Sequence, residues 1–260
     1  MEPWEYHCAD DLDRSLADRL RQFPRRPDML VYGGRLAAMA LVRTWMRAYH
    51  RFRVTGCENL PREGSFVVVA NHSSHLDVFT LLMAFPMTKL HRVFPAAAQD
   101  YFFVSLPRVA FAAGVVNALP FDRQVGIKHS LGLCTGLLSN PGNVLVIFPE
   151  GTRSLDGVMH PFKPGIGLLL AGTPYPVVPC YIEGAHDAWA KGKWIPRPRR
   201  VRLFIGTPRV YSELKPGKQS ALQITSELED AVASLAPNGG TKQTRQDGGE
   251  ETASTKIERK

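Results

Sequence analysis

The sequence has 260 residues, of which 44% are hydrophobic and 22% are charged, and these are the proportions of an ordinary globular protein. This length suffices for one large α/β domain or two small ones and excludes fibrous, collagen-like and disulfide-stapled classes. The 32 lysines and arginines outnumber the 24 aspartates and glutamates, so the formal net charge is +8. We therefore expect an anionic partner such as nucleic acid, anionic lipid or a phosphorylated substrate.

The cysteines and the apolar runs bear on the compartment. Four cysteines, at positions 8, 57, 134 and 180, lie far apart and include no C-x-x-C pair, which predicts neither a zinc site nor a disulfide framework. We find no continuous apolar run of the roughly 18 residues that a spanning helix requires. The acidic N-terminus lacks the pattern of a signal peptide. We expect a protein on the cytosolic side, without a spanning helix.

The first 51 residues show helical periodicity. Residues 11–23 space their leucines as a short helix does, and residues 30–52 predict a second helix with one basic face and one apolar, aromatic face. The two faces comprise Arg35, Arg43, Arg47 and Arg51, and Leu41, Trp45 and Tyr49. This helix either docks on a membrane surface, assisted by the basic region 189–202, or packs on its own domain with solvated arginines.

Further along the chain, short β-branched runs alternate with helical patterns. The predicted strands are residues 65–70, 90–94, 143–148, 176–182 and 200–205, and the predicted helices are residues 75–85, 127–138 and 219–235. This alternation predicts an α/β domain with a largely parallel mixed sheet flanked by helices. The polar tail has almost no core-forming residues and is predicted to be disordered. We divide the chain into an N-terminal helical, membrane-docking segment (1–51), a catalytic domain (52–235) and the tail (236–260).

The first chemically suggestive motif lies where an apolar strand meets a helix, in the run V-V-V-A-N-H-S-S-H-L-D-V-F. His72 falls in the connecting loop and Asp77 in the first helical turn. From there the carboxylate can orient one imidazole nitrogen and leave the other free to take a proton from a hydroxyl. Ser74 and Asp77 also match a helix capping box, so the residues alone leave a catalytic and a structural interpretation open.

The second motif follows the apolar run 144–148. Glu150, Gly151, Thr152 and Arg153 combine a small residue for close approach, a hydroxyl donor and a guanidinium suited to bidentate phosphate binding. Loops at strand ends are where α/β folds place ligands. An ordinary turn with a solvated arginine is the alternative.

Two more cations are candidates for the same pocket. Arg123, in P-F-D-R, and Lys163, in P-F-K-P-G, add positive charge beside Arg153 if the fold brings them together. His72 and His75 have no convincing third ligand, so we expect no metal.

These motifs resemble those of the glycerolipid acyltransferases. The resemblance covers roughly residues 52–208, and four blocks occur in the family's order. The blocks are N-H-x-x-x-x-D from Asn71 to Asp77, F-D-R at 121–123, F-P-E-G-T-R-S at 148–154 and P-V-V-P at 176–179. The second block departs from the family pattern, because Asn117 stands where a glycine is expected. The resemblance implies a glycerol-phosphate-acyltransferase-like α/β fold with N-terminal amphipathic helices.

The resemblance also implies a reaction, in which an acyl group passes from a coenzyme A or acyl-carrier-protein thioester to the free hydroxyl of a lysophospholipid. The preferred acceptor is 1-acyl-sn-glycerol-3-phosphate, which gives phosphatidic acid. His72 would be the general base, Asp77 its orienter and Arg153 the ligand of the acceptor phosphate. The implied substrate-binding residues are Glu150, Gly151, Thr152, Arg153, Arg123 and Lys163. No cofactor is expected beyond the thioester co-substrate. The expected partners are a membrane surface and, as a candidate, acyl carrier protein, but not nucleic acid.

Three other functions are open from the residues. The first is transfer to another lysolipid. The second is a lipid or ester hydrolase in which Ser73 or Ser74 is the nucleophile and His72 its base. The third is a non-catalytic lipid- or nucleic-acid-binding protein, suggested by tryptophans beside arginines. The residues of that patch are Trp189, Trp194, Arg197, Arg199, Arg200 and Arg202.

Overall fold

In a computed structural model of the chain, residues 29–98, 105, 108, 110–121 and 127–237 are described. Seven strands and six α-helices alternate along this part of the chain. The strands are β1 (Arg53–Thr55), β2 (Phe66–Ala70), β3 (Val93–Ala98), β4 (Leu119–Phe121), β5 (Val144–Ile147), β6 (Val177–Glu183) and β7 (Arg202–Ile205). The helices are α1 (Met29–Ala48), α2 (Asp77–Leu82), α3 (Ile127–Ser139), α4 (Gly165–Leu170), α5 (Ala185–Trp189) and α6 (Lys218–Ser234).

The strands form one sheet in the order β1-β7-β6-β2-β5-β3-β4. Every neighbouring pair is parallel except β6 with β7, which is antiparallel. This arrangement confirms the predicted α/β class with a largely parallel mixed sheet. Strand β2 lies at the centre between β6 and β5, so the loop that follows it opens at the middle of one sheet edge.

Strand β2 explains why the sheet is covered on both sides. All five of its residues are buried, and because successive side chains of a strand point to opposite faces, they divide between two cores. Val68 and Ala70 pack with residues of α1, α2 and α5, whereas Val67 and Val69 pack with residues of α3, α4 and α6. The result is a three-layer arrangement of helices, sheet and helices.

The predicted elements agree with this structure except at the short ones. Four of the five predicted strands and the three predicted helices between residues 75 and 235 are present, whereas the strand predicted at residues 90–94 overlaps β3 only at residues 93 and 94, because residues 87–92 form a 3₁₀ helix. Strands β1 and β4, each of three residues, and helices α4 and α5 were not predicted, because runs of three to six residues carry too little periodicity. The leading helix predicted at residues 11–23 and nearly all of the predicted tail lie outside the described residues.

Helix α1 corrects one expectation about the basic face. Arg35 is buried and donates hydrogen bonds to the carbonyl oxygens of Gly114 and Ala113, at 2.9 and 2.8 Å. Burial lowers the pKa of Arg35 to about 10. Arg43 donates to the carbonyl oxygens of Phe85 and Leu82. The sequence predicted that these two arginines face either a membrane or solvent, and the structure corrects both alternatives for them, since both bind backbone oxygens of their own domain.

The apolar face of α1 packs on the same domain. Trp45 contacts the ring of Trp189, and the Tyr49 hydroxyl donates to the carbonyl oxygen of Pro196 at 3.1 Å. Arg47 and Leu41 remain exposed. Within the described part of the chain, no helix has both the length and the apolar character needed to cross a membrane.

The crossing of α4 and α6 yields a stability prediction. A Cβ atom at Gly167 would overlap the carbonyl oxygen of Ala221, whereas one at Gly165, in the same helix, would meet nothing within 4 Å. We expect Gly167→Ala to lower the free energy of unfolding by about 1–3 kcal/mol, as overpacking does. Gly165→Ala is the matched control, expected to change it by less than about 1 kcal/mol. Urea unfolding measures both, and equal effects of the two substitutions would contradict this packing.

Candidate active site

Three loops converge at the carboxyl-end edge of the central strands. The loop after β2 carries residues 71–76, the loop after β5 carries residues 148–154, and the turn after β6 leads into α5. Because β2, β5 and β6 run parallel, these loops leave the sheet on the same side. In α/β sheets this edge is the usual place for a ligand.

Asn71 fixes the start of the loop after β2. Its side-chain amide donates to the carbonyl oxygen of Ile182 at 3.0 Å, and its side-chain oxygen accepts the Ile182 N–H at 2.7 Å. The side chain thereby continues the β2–β6 pairing by one step after β2 has ended. Asn71 is 4% exposed, so this pair of hydrogen bonds satisfies polar groups that water cannot reach.

His72 and Asp77 form the pair predicted from the sequence. His72 Nδ1 lies 2.8 Å from Asp77 Oδ2, and the Asp77 side chain is fully buried. The same oxygen also accepts the backbone N–H groups of Ser73 and Ser74, at 2.6 and 2.7 Å. One carboxylate thus contacts the His72 ring, as the catalytic interpretation requires, and accepts the backbone N–H groups that the capping interpretation requires. Because a carboxylate only accepts hydrogen bonds, this contact requires a proton on His72 Nδ1.

The other ring nitrogen of His72 is available. Nε2 has no hydrogen-bond partner among the described residues, and the side chain is 16% exposed. The ring stacks on Phe148, with 4.1 Å between the ring centroids and 17° between the planes. Phe148 thus packs on one face of the imidazole and leaves Nε2, at the edge of the ring, without a partner among the described residues.

Glu150 ties the two loops together. Its Oε1 accepts the backbone N–H of His72 at 2.6 Å, and its Oε2 accepts the backbone N–H of His160 at 3.0 Å. The backbone N–H of Ser154 adds a hydrogen bond to the His72 carbonyl oxygen at 2.9 Å. Burial raises the pKa of the Glu150 carboxyl to about 8, although the two N–H donors oppose this effect. Glu150 therefore positions the His72 backbone.

Gly151 permits a close approach of Lys163. Its φ of +75° is favourable for glycine, and a Cβ atom there would lie 2.8 Å from Lys163 Nζ. The Lys163 ammonium thus lies beside the turn that carries Thr152, and both side chains are exposed. The structure brings Glu150, Gly151, Thr152 and Lys163 to the loops around His72.

Arg153 contacts a residue that the sequence analysis left without a role. Its Nη1 lies 2.5 and 2.8 Å from the two ring nitrogens of His75. A guanidinium only donates, so His75 accepts as a neutral ring, and burial together with the Arg153 charge lowers the pKa of His75. The His75 ring also lies 5.2 Å from the ring of Trp189. This contact holds the half-buried Arg153 side chain at the rim of the site, that is, where the loops around His72 meet solvent.

The structure also bears on the remaining candidates. Arg123 lies outside the described residues. The Ser74 hydroxyl donates to the Trp189 carbonyl oxygen at 2.7 Å and accepts the Leu76 N–H at 3.1 Å. Ser73 and Ser74 are both buried. With its hydroxyl engaged in this way, Ser74 is poorly placed to be the nucleophile of a hydrolase.

Three residues of the site were not anticipated. Asn71 and Phe148 belong to the quoted motifs, but their contacts with Ile182 and with the His72 ring join distant segments. Trp189, 115 positions from Ser74 in the chain, contributes its backbone oxygen. These contacts can be predicted only when β2 is known to pair with β6 and with β5. Patterns in a single sequence do not give the order of strands in a sheet.

The described residues include neither a group of possible metal ligands nor a reactive thiol. Among the residues that the structure describes, no three His, Cys, Asp or Glu side chains are grouped so that they can hold a metal ion. Cys134 and Cys180 are buried, and burial raises the pKa of each thiol, that of Cys134 to about 12. Neither thiol is therefore an activated nucleophile.

Curated relatives of the chain are lipid acyltransferases. A 1-acyl-sn-glycerol-3-phosphate acyltransferase of Chlamydomonas reinhardtii is 34% identical over 194 residues, covering 73% of this chain and 54% of that protein. A chloroplastic enzyme of the same name from Brassica napus is 32% identical over 170 residues, covering 62% and 45%. The chain thus spans about half the length of these two relatives. The Bacillus subtilis enzyme of that name is 27% identical, covering 70% of this chain and 87% of its own.

A solved structure has the same fold. It is the crystal structure of the 1-acyl-sn-glycerophosphate (LPA) acyltransferase from Thermotoga maritima, with a TM-score of 0.59, 24% identity, and coverage of 78% of this chain and 80% of that one. The sequence model of the family described as Acyltransferase matches residues 51–183. Because that match spans just over half of the chain and includes the loops that carry His72, Asp77 and Arg153, the chain belongs to the acyltransferase family.

Proposed function

We propose that the protein transfers a fatty acyl group from a thioester to the free hydroxyl of a lysophospholipid, with 1-acyl-sn-glycerol-3-phosphate as acceptor and phosphatidic acid as product. The observation that carries this proposal is the His72 ring, whose Nδ1 is bound by buried Asp77 and whose Nε2 is open. The names of the relatives from Chlamydomonas reinhardtii and Brassica napus support the choice of acceptor.

In the proposed chemical step His72 Nε2 accepts and returns one proton, while Nδ1 keeps its proton throughout. Nε2 takes the proton of the acceptor hydroxyl while its oxygen attacks the carbonyl carbon of the thioester. The tetrahedral intermediate then expels the thiolate, which receives that proton from Nε2. Asp77 keeps Nδ1 protonated and stabilises the imidazolium that forms between the two transfers. This direct attack needs neither a serine nor a cysteine nucleophile.

Two cations beside the base support a phosphorylated acceptor. Arg153 lies at the rim, held against His75, and Lys163 lies over the turn at Gly151. We assign the acceptor phosphate to Arg153, because a guanidinium can bind two phosphate oxygens at once. Lys163 adds charge, and Arg123 stays a candidate for the same role.

The acyl donor is proposed to be a thioester of coenzyme A or of acyl carrier protein. A thioester already carries an activated acyl group, so this proposal calls for no further cofactor. The acceptor and the product are lipids, and we propose that the enzyme works peripherally on the cytoplasmic face of a membrane. The four widely spaced cysteines, which include no C-x-x-C pair, support a reducing compartment.

The first prediction tests the reaction and the base together. Purified protein is offered a panel of lysolipids with acyl-coenzyme A and with acyl-carrier-protein donors, and products are identified by mass spectrometry. We expect phosphatidic acid from lysophosphatidic acid, and a loss of about 10²-fold or more in turnover for His72→Ala. His91→Ala, an exposed histidine, is the matched control and should act like the parent. Near-native turnover of His72→Ala would refute the mechanism, and a product from another lysolipid alone would reassign the acceptor.

The second prediction concerns Arg153. The substitution Arg153→Lys keeps the charge but loses the planar fork, so the KM for the lysophosphatidic acid acceptor should rise while the KM for the donor changes little. The matched control is Arg62→Lys, at an exposed arginine. Steady-state kinetics with each substrate varied in turn gives both constants. A rise confined to the donor KM would move Arg153 to the thioester side.

The third prediction follows from the buried Glu150. Burial raises its pKa in the folded protein to about 8 from an ordinary value of 4.5, so between these two pH values the folded state binds more protons than the unfolded state. The free energy of unfolding contributed by Glu150 is therefore complete below about pH 4.5 and is lost as pH rises towards 8.

Urea unfolding across this pH window measures the effect. The stability of the parent should fall with pH more steeply than that of Glu150→Gln, whose side chain does not titrate. Glu63→Gln, at an exposed position, should keep the parent's slope. Identical slopes for the parent and Glu150→Gln would show that Glu150 does not titrate in this window.

A further inference from the structure

The loop between α5 and β7 is unusually basic and ends in an exposed apolar tip. Residues 190–201 read A-K-G-K-W-I-P-R-P-R-R-V, with five cationic residues and no acidic one. All five cations are exposed, and none of them forms an ion pair with an acidic residue of the described chain. Trp194 is 94% exposed and Ile195 is 78% exposed. The loop thus presents an exposed tryptophan–isoleucine pair that is flanked in the sequence by five exposed cations.

The near end of this loop is fixed to α5. The Trp189 indole N–H donates to the carbonyl oxygen of Lys193 at 2.8 Å, and the Lys193 N–H donates to the carbonyl oxygen of Ala190 at 3.2 Å. The Arg197 N–H returns to the carbonyl oxygen of Ala188 at 2.7 Å. These bonds close the loop on either side of Trp194, so its exposure belongs to an ordered turn.

The far end of the loop is fixed to the end of α1. The Tyr49 hydroxyl donates to the carbonyl oxygen of Pro196 at 3.1 Å, and the Val201 N–H donates to the carbonyl oxygen of His50 at 3.0 Å. His50 Nδ1 lies 3.2 Å from the carbonyl oxygen of Arg199. Backbone groups make most of these contacts, and they leave the cationic side chains free to face outward.

This composition fits an anionic lipid surface. Tryptophan beside lysine and arginine is favoured at the boundary between headgroups and acyl chains, where the ring is part apolar and part polar. A bilayer accepts a projecting apolar pair without a shaped pocket, whereas a protein partner needs a complementary cavity. Each lysine or arginine near an anionic surface adds attraction that salt screens.

The loop also adjoins the candidate active site. The Trp189 carbonyl oxygen accepts the Ser74 hydroxyl at 2.7 Å and the His75 N–H at 3.4 Å. The rings of His75 and Trp189 lie 5.2 Å apart, and His75 holds Arg153. A membrane that contacts this loop therefore approaches the side of the site where the guanidinium lies.

We infer that the loop of residues 190–201 docks the protein on anionic lipid, with Trp194 and Ile195 entering the interface and the five cations contacting headgroups. Its further consequence, that docking brings a bilayer-embedded acceptor beside His75 and Arg153, rests on the proposed function. The docking itself does not require that function.

Co-sedimentation with vesicles tests the docking in a protein that also carries His72→Ala, so that no turnover is needed. The vesicles are phosphatidylcholine alone, or phosphatidylcholine with phosphatidylglycerol. We expect binding to the anionic vesicles to fall on the order of tenfold or more for Lys193→Glu/Arg197→Glu, and to fall also for Trp194→Ser/Ile195→Ser. Added salt should weaken binding of the parent more than that of the charge-reversed variant.

Matched controls lie on the opposite side of the sheet. Lys215→Glu/Lys218→Glu changes the net charge equally, and Leu222→Ser removes an exposed apolar side chain of α6. Both should bind vesicles like the parent. Quenching of tryptophan fluorescence by brominated lipid gives a second measurement. We expect quenching in the parent and much less quenching in Trp194→Ser/Ile195→Ser. Because both tip side chains are exposed, this variant should keep the parent's thermal unfolding.

Parent-like vesicle binding by both loop variants would overturn the inference. If, in addition, the same two loop variants made in the chain that retains His72 selectively lost transfer from acyl carrier protein, and not from acyl-coenzyme A, the loop would instead be a docking surface for an acidic protein. Vesicle binding and the lysolipid panel are independent measurements. Lipid binding through the loop, together with a parent protein that retains His72 and transfers no acyl group in the lysolipid panel, would refute the proposed function alone.

Discussion

The buried carboxylate of Asp77 is the interaction on which the site depends. One oxygen, Oδ2, accepts hydrogen bonds from His72 Nδ1 and from the backbone N–H groups of Ser73 and Ser74. A buried carboxylate needs such donors, and here all three come from the loop that it organises and meet one oxygen, whereas Oδ1 has no hydrogen-bond partner among the described residues. The same three hydrogen bonds therefore order the loop, compensate the negative charge of Asp77 and orient the His72 ring.

The rest of the fold supplies a frame for this set. Asn71 extends the pairing of β2 with β6, and Glu150 joins the loop after β2 to the loop after β5. The parallel order of the central strands brings both loops to one edge of the sheet. The base, its orienting carboxylate and the candidate phosphate ligand Arg153 thus come from two strand ends that are neighbours in space and distant in sequence.

The sequence predicted the parts that depend on local pattern. Buried strands such as β2 are apolar runs, and the spacing of His72 and Asp77 places both at one strand-to-helix junction. It did not predict which way the α1 arginines face, because periodicity defines two faces of a helix but not the surface that each contacts. Arg35 shows this, since its guanidinium binds backbone oxygens of residues 113 and 114. The contact of His75 with Arg153 joins segments 78 positions apart and needs the strand order.

The most direct test of the central claim is the tautomer of His72. Nitrogen-15 chemical shifts of the histidine rings, recorded at a pH where the ring is neutral and assigned with His72→Ala, distinguish a proton on Nδ1 from one on Nε2. With Asp77 bound at Nδ1, we predict the Nδ1–H form in the parent and a change in this ring's shifts in Asp77→Asn. An Nε2–H form in the parent would contradict the account. That nitrogen would then have no free lone pair with which to take the proton of the lysophospholipid hydroxyl.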